Sequence, residues 1–256
     1  MDGADRPYET RCQDCKQKRR DEDLRQQALS ELKQAKEYQR DEWFEMCNLP
    51  LKFVGKTFDN FQHNLQPKAY AAAKRLAEEY CKWDGDQPLR SLMLLSPDTY
   101  GVGKTHLVAA LINHILEMVE PAYLRHLTVV RRRLPIYFIT EPELLSRIRS
   151  TFSHTEGETD EDIYRELINY DILVLDDIGK MRPRDPSFLQ GVYFRVIDGR
   201  YAREHAVMLT TNLHYSELEE HIGGACSDRL REMCGENFIS MRGTSYRHRR
   251  DKDNAE

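Results

Sequence analysis

Three groups of residues carry types and spacings suited to polyphosphate chemistry. The first is Gly101-Val102-Gly103-Lys104-Thr105-His106, which follows the short apolar run Leu92-Met93-Leu94-Leu95 and precedes a stretch of helical spacing. An apolar strand, a glycine-bearing turn and a helix opening on Lys-Thr form a phosphate-binding loop. Gly101 and Gly103 let backbone N–H groups approach phosphate oxygens, and the helix N-terminus adds a positive partial charge. Lys104 has the reach for the β- and γ-phosphates, and the Thr105 hydroxyl suits a Mg²⁺ ligand. One position departs from the pattern: Asp98 stands where the loop's first glycine is expected. A carboxylate there repels a triphosphate unless it points away.

The second group is Asp171-Ile172-Leu173-Val174-Leu175-Asp176-Asp177, an apolar run ending in two acids. By itself it reads equally as a strand leading into a solvated turn. Downstream of a phosphate-binding loop, it places Asp176 to complete the Mg²⁺ shell and Asp177 to polarise an attacking water. The third group is Val207-Met208-Leu209-Thr210-Thr211-Asn212. Here the amide of Asn212, at a strand end, suits a sensor of the γ-phosphate or the lytic water, although asparagine is also a common turn former.

The remaining sequence supplies the elements that position these groups. Amphipathic or capped segments at 68–82, 104–117, 140–152 and 188–201 predict helices. The third opens on Thr140-x-x-Glu143 with Pro142 in its first turn, a capping box. Short apolar runs at 92–95, 136–139, 172–175, 206–209 and 238–241 predict strands. The run from Ile172 to Leu175 shows no polar alternation, as expected where both faces are covered. Strands separated by helices imply an α/β fold with a parallel five-stranded sheet flanked by helices. Residues 16–45 are dense in charge and lack glycine and proline, predicting an exposed helix or helical pair. The organisation expected is a helical appendage over 1–50, a linker over 51–67 anchored by Phe53, Phe58, Phe61 and His63, and the catalytic domain over 68–256.

Composition narrows the class. The 256 residues carry a net charge of −5, with 40% hydrophobic and 32% charged residues. No apolar run approaches the ~20 residues of a membrane span, and the acidic Met1-Asp2-Gly3-Ala4-Asp5 start is no export signal. The expected setting is cytoplasmic, with six reduced cysteines. Cys12-x-x-Cys15 has the spacing of half a zinc site but no second half, and reads as two free thiols. Basic residues concentrate at Arg131-Arg132-Arg133, at Lys180, Arg182 and Arg184, and in the tail from Met241 to Arg250. Each is a candidate surface for single-stranded DNA on a net-acidic chain.

Taken in order, these motifs resemble the DnaC/IstB-like branch of AAA+ ATPases, which comprises helicase loaders and transposition helper ATPases. The resemblance covers about residues 50–250. It rests on Thr57-Phe58-Asp59-Asn60-Phe61, Gly101 to Leu107, Thr140 to Leu145, Leu175 to Lys180, Ile197-Asp198-Gly199-Arg200-Tyr201, Thr211-Asn212-Leu213, Ser227-Asp228-Arg229-Leu230 and Ser245-Tyr246-Arg247. It implies ATP and Mg²⁺ as cofactors and a homo-oligomer in which Arg229 acts as an arginine finger on a neighbour's ATP. It also implies Arg247 as a second sensor, and a role in loading a replicative DNA helicase onto single-stranded DNA. A transposition helper, a small-molecule kinase and a non-hydrolysing nucleotide switch are the alternatives.

Overall fold

The computed structural model describes residues 13–83, 87–118, 135–152, 157–182 and 186–246. Two compact units divide after Asp41. The first is carried by the long helix α1 (Gln13–Cys47). Its side chains described before Glu42 are exposed, Leu24, Leu29 and Tyr38 among them. Pairs one turn apart, such as Gln26 with Glu22 and Gln27 with Glu31, support the helix on its own surface. The highly charged stretch thus forms one continuous helix rather than a pair.

The second unit, from Glu42 onward, is a three-layer α/β structure. Its strands are β1 (Leu92–Leu95), β2 (Ile136–Thr140), β3 (Ile172–Ile178), β4 (Ala206–Thr211) and β5 (Phe238–Ser240). All pair in parallel, in the order β2-β3-β4-β1-β5. The helices are α2 (Leu51–Val54), α3 (Pro67–Lys82), α4 (Lys104–Met118), α5 (Glu141–Ser150), α6 (Asp160–Asn169), α7 (Pro186–Tyr201), α8 (Tyr215–Ile222) and α9 (Gly224–Cys234).

Because side chains alternate along a strand, each strand feeds two cores. Leu92, Leu94, Phe138, Val174 and Met208 pack with α3 and α4 on one side. Met93, Leu95, Ile139, Leu173, Leu175, Val207 and Leu209 pack with α5 to α9 on the other. The expected capping box opens α5, with Glu143 accepting from the Thr140 N–H at 2.9 Å and its hydroxyl at 2.8 Å. The 51–67 stretch is structured and belongs to the first of these cores: Phe58 and Phe61 are buried there, and Phe53 packs against it.

One buried cation ties the starts of β3 and β4 together. Arg200 of α7 is fully buried. Its Nη1 donates to the carbonyls of Leu167 (2.6 Å) and Tyr170 (2.7 Å), and its Nη2 to those of Asp171 (3.1 Å) and Ala206 (2.5 Å). Burial lowers the guanidinium's affinity for its proton, and the nearby Asp171 charge works in the opposite direction. Arg200→Met keeps the length but leaves buried carbonyls without donors. It is expected to lower folding stability by about 3–5 kcal/mol in urea denaturation, the scale of breaking a buried hydrogen-bonded charge. A loss below about 1 kcal/mol would show that the carbonyls find other partners.

Candidate functional site

In a parallel sheet every strand ends at the same edge, where ligands of open α/β folds bind. The sequence-identified residues meet there. The loop after β1 turns through Gly101 (φ 76°) and Gly103 (φ 97°). Gly103 is required twice over. Its φ is left-handed, and a Cβ would stand 2.7 Å from the Phe61 ring and 3.1 Å from the Tyr246 ring. The buried Val102 pins the loop from below. The Tyr246 N–H donates to the Gly101 carbonyl at 3.0 Å, so the last described residue lies against the loop. Asp98 points outward, 65% exposed and 3.9 Å from His214 Nε2; its carboxylate is turned to solvent.

Lys104, the first residue of α4, is only 7% exposed. Its ammonium donates to Ser96 Oγ and, at 2.6 Å, to Asn212 Oδ1. The Asn212 amide in turn donates to Asp177 Oδ1 at 3.0 Å. Asn212 therefore bridges the loop lysine and the second acid. Thr105 Oγ1 donates to Asp176, 2.9 Å from Oδ1 and 3.2 Å from Oδ2. Thr210 Oγ1 donates to Asp176 Oδ1 at 2.7 Å and accepts from the Asp177 N–H at 2.9 Å. Burial raises the Asp176 pKa, opposed by the two threonine hydrogen bonds. Asp177 raises it further, and Lys104 lowers it.

Both acids reach this edge because β3 is irregular. Its register against β4 shifts between Leu175 and Ile178, and Asp177 takes φ 61°. In a regular strand consecutive side chains face opposite ways. A bulge with a left-handed residue re-aims one of them. Thr211 closes the bulge, donating to the Ile178 carbonyl at 2.7 Å.

Not every expected residue joins the cluster. His106, one residue into α4 from Thr105, turns toward the 51–67 stretch. Its Nε2 lies 2.8 Å from Asn60 Oδ1 and 3.3 Å from the Thr57 carbonyl. Both partners are acceptors, so Nε2 carries a hydrogen. Phe58 and Phe61 are core residues, and Phe61 stacks with Tyr70 and meets His106 edge-on. Arg229, on α9, pairs with Asp198 of α7 at 3.0 Å and lies over the Phe194 and Tyr201 rings. Arg247, Cys12, Arg131–Arg133 and Arg184 lie outside the described residues. Among the described residues no group of three potential metal-binding His, Cys, Asp or Glu side chains occurs, and no helix is long and apolar enough to cross a membrane. Ser96 and Thr210 are site residues that motif spacing did not single out. Their signal was faint: a hydroxyl just after β1, and the first threonine of Thr210-Thr211-Asn212.

The donor set is chemically coherent. Thr105 and Asp176 offer hard oxygen ligands of the kind Mg²⁺ takes. The α4 N-terminus and the glycine turn offer N–H groups to phosphate, and Lys104 offers a mobile charge.

Comparison with known proteins agrees with this geometry. The replicative helicase loader DnaC of Buchnera aphidicola subsp. Acyrthosiphon pisum is 24% identical over 197 residues, covering 76% of this chain and 70% of the relative. DnaC of Escherichia coli strain K12 is 25% identical over 195 residues, covering 75% and 69%. Among solved structures, DnaI superposes with a TM-score of 0.56 at 18% identity, over 77% of this chain and 93% of that one. The DnaC helicase loader superposes with a TM-score of 0.55 at 19% identity, over 75% and 98%. The fold is thus the AAA+ fold of these proteins. The model of the family described as IstB-like ATP binding protein matches residues 16–254, and the chain belongs to that family.

Proposed function

We propose that this protein is a Mg²⁺-dependent ATPase that loads a replicative DNA helicase onto single-stranded DNA. The observation that carries the ATPase reading is the convergence of Lys104, Thr105, Asp176, Asp177 and Asn212 at one sheet edge. Names of relatives at about a quarter identity support the loader role.

In this reading the N–H groups of the Gly101–Thr105 turn and the Lys104 ammonium hold the triphosphate, and Lys104 exchanges Ser96 and Asn212 for phosphate oxygens. Thr105 and Asp176 would hold Mg²⁺, which when bound would supply positive charge beside the triphosphate. Asp177 orients the attacking water, and the Asn212 amide keeps that carboxylate aimed. Arg229 belongs to a neighbouring copy's site: its own contacts are with α7 and Ala225, and an always-charged planar fork suits a phosphoryl group. Arg247 is the second sensor. Residues 1–50 dock the helicase, residues 68–256 together with the packed 51–67 stretch form the ATPase domain, and the role is cytoplasmic. Mixing the full-length protein with its replicative helicase and a protein-free single-stranded circle tests the loader role. ATP-dependent recovery of helicase on the circle is expected; recovery independent of this protein would exclude it.

Asp176→Asn separates metal binding from folding. The amide oxygen can take the place of Oδ1 and keep both threonine donors. The folded pKa of Asp176 is raised, so its contribution to stability is fully present below the unfolded value and lost as pH rises through the folded one. Removing the charge is expected to raise the nucleotide-free Tm at neutral pH. It is also expected to abolish the part of the ATP-induced Tm rise that needs Mg²⁺. A lower Tm together with an intact Mg²⁺-dependent rise would contradict the assignment.

Asp177→Asn is expected to bind ATP normally and hydrolyse it about 10²-fold more slowly in a steady-state phosphate-release assay, the scale of losing a positioned general base. Turnover at the wild-type rate would remove Asp177 from the reaction.

Arg229→Ala is expected to bind ATP without hydrolysing it. Mixed with Lys104→Ala it should regain activity, because some junctions then pair an intact loop with an intact finger. No recovery at any ratio would place Arg229 outside the site.

A further inference from the structure

The two acids at the end of β3 sit where its pairing with β4 is interrupted. Leu175 is opposite Leu209 and the next pair is Ile178 with Thr211, so neither Asp176 nor Asp177 has a paired residue in β4. A backbone N–H that loses its ladder acceptor inside a protein needs another. The Asp177 N–H has one in the Thr210 hydroxyl, at 2.9 Å. A side-chain oxygen thus stands in for a strand carbonyl, at the residue whose φ is 61°. Left-handed backbone is unfavourable for a residue with a side chain and persists only where its surroundings hold it.

Thr210 is fully buried, and its hydroxyl carries one proton. With the Asp177 N–H aimed at the oxygen, that proton is left for another group, and it goes to Asp176 Oδ1 at 2.7 Å. One oxygen therefore holds the main chain of the second acid and the carboxylate of the first. The two contacts differ in what backs them. Asp176 Oδ1 also accepts from the Thr105 hydroxyl at 2.9 Å, so the first acid keeps a donor without Thr210. Beyond Asp177 the chain is held by Glu141, which is fully buried. Its Oε2 accepts from the N–H groups of Gly179 and Met181 at 3.1 and 2.7 Å. Its Oε1 accepts from the Tyr193 hydroxyl at 3.0 Å and lies 2.5 Å from His221 Nε2. The Asp177 carboxylate meets the Asn212 amide on Oδ1 at 3.0 Å and the Lys180 ammonium on Oδ2. Those two donors aim the carboxylate from a main-chain position that Thr210 supports.

We propose that Thr210 is a positioning residue for ATP hydrolysis: its hydroxyl replaces a strand carbonyl beside Asp177 and so sets where that carboxylate meets the attacking water. Thr210 acts through Asp177 and not on the nucleotide, so it governs turnover rather than ATP affinity. The inference rests on the reading of Asp177 as the residue that orients water.

The test is steady-state ATP turnover by the full-length protein, with ATP affinity from calorimetry, for wild type, Thr210→Val, Thr210→Ser, Asp177→Asn and the Thr210→Val/Asp177→Asn double variant. Valine keeps the shape of threonine and makes neither hydrogen bond. It is expected to lower kcat about tenfold, less than Asp177→Asn does, because the carboxylate is misplaced rather than removed. KM and ATP affinity should stay within about twofold of wild type. Serine restores the hydroxyl and should bring kcat back to within about twofold. Added to Asp177→Asn, Thr210→Val should cost nothing further, since a group already removed cannot be misplaced. A threonine with a merely structural role would not show that dependence. Wild-type kcat in folded Thr210→Val, a loss in ATP affinity in place of kcat, or the same tenfold loss on the Asp177→Asn background would each overturn the proposal. If the Tm of Thr210→Val falls below the assay temperature, Thr210→Cys carries the test. Its weak S–H donor predicts a kcat about threefold down, and an unchanged kcat would overturn the role. Wild-type turnover by Asp177→Asn alone would instead overturn the underlying reading of Asp177.

Discussion

A lysine ammonium and an aspartate carboxylate are both almost fully buried at one sheet edge, and the site is organised by what makes that tolerable. An unpaired buried charge costs several kcal/mol. Here the cost is offset by short polar side chains at strand ends: Ser96 and Asn212 for Lys104, Thr105 and Thr210 for Asp176. The Asn212 amide, neutral and two-sided, accepts from the lysine and donates to Asp177.

The sheet makes the arrangement rigid. Its two cores take alternate residues of each strand, which locks register, since a slip of one residue would send every side chain to the wrong core. Arg200 fastens the starts of β3 and β4 by their carbonyls, and the bulge at Asp176-Asp177 is closed at their ends by Thr211. The left-handed φ of Asp177 is held between these two fixed points.

Much of this was legible from local pattern. The strand runs, the α5 capping box and the Gly103-Lys104-Thr105 turn each announce themselves within ten residues. The parallel sheet and the meeting of Lys104 with Asp176 follow from motif order. The helices α6, α8 and α9 were not read. The first opens on a capping box with aspartate at its far end, Thr159 to Asp162, and the second on a histidine cap, His214 to Glu217, neither of which has the usual Ser/Thr-to-Glu form. Spacing could not show that Lys180 would pair with Asp177, that His106 would turn to Asn60, or that Glu141 would be buried under four donors. Those depend on side-chain rotation and on segments that meet only after folding.

The central claim is that the cluster around Lys104 is a preformed ATP site. Calorimetric titration of the nucleotide-free protein with ATP and Mg²⁺, beside the same titration of Lys104→Ala, tests it most directly. Saturable one-site binding by the wild type and no measurable heat from the variant is the result expected. Equal affinity in both proteins would contradict the account.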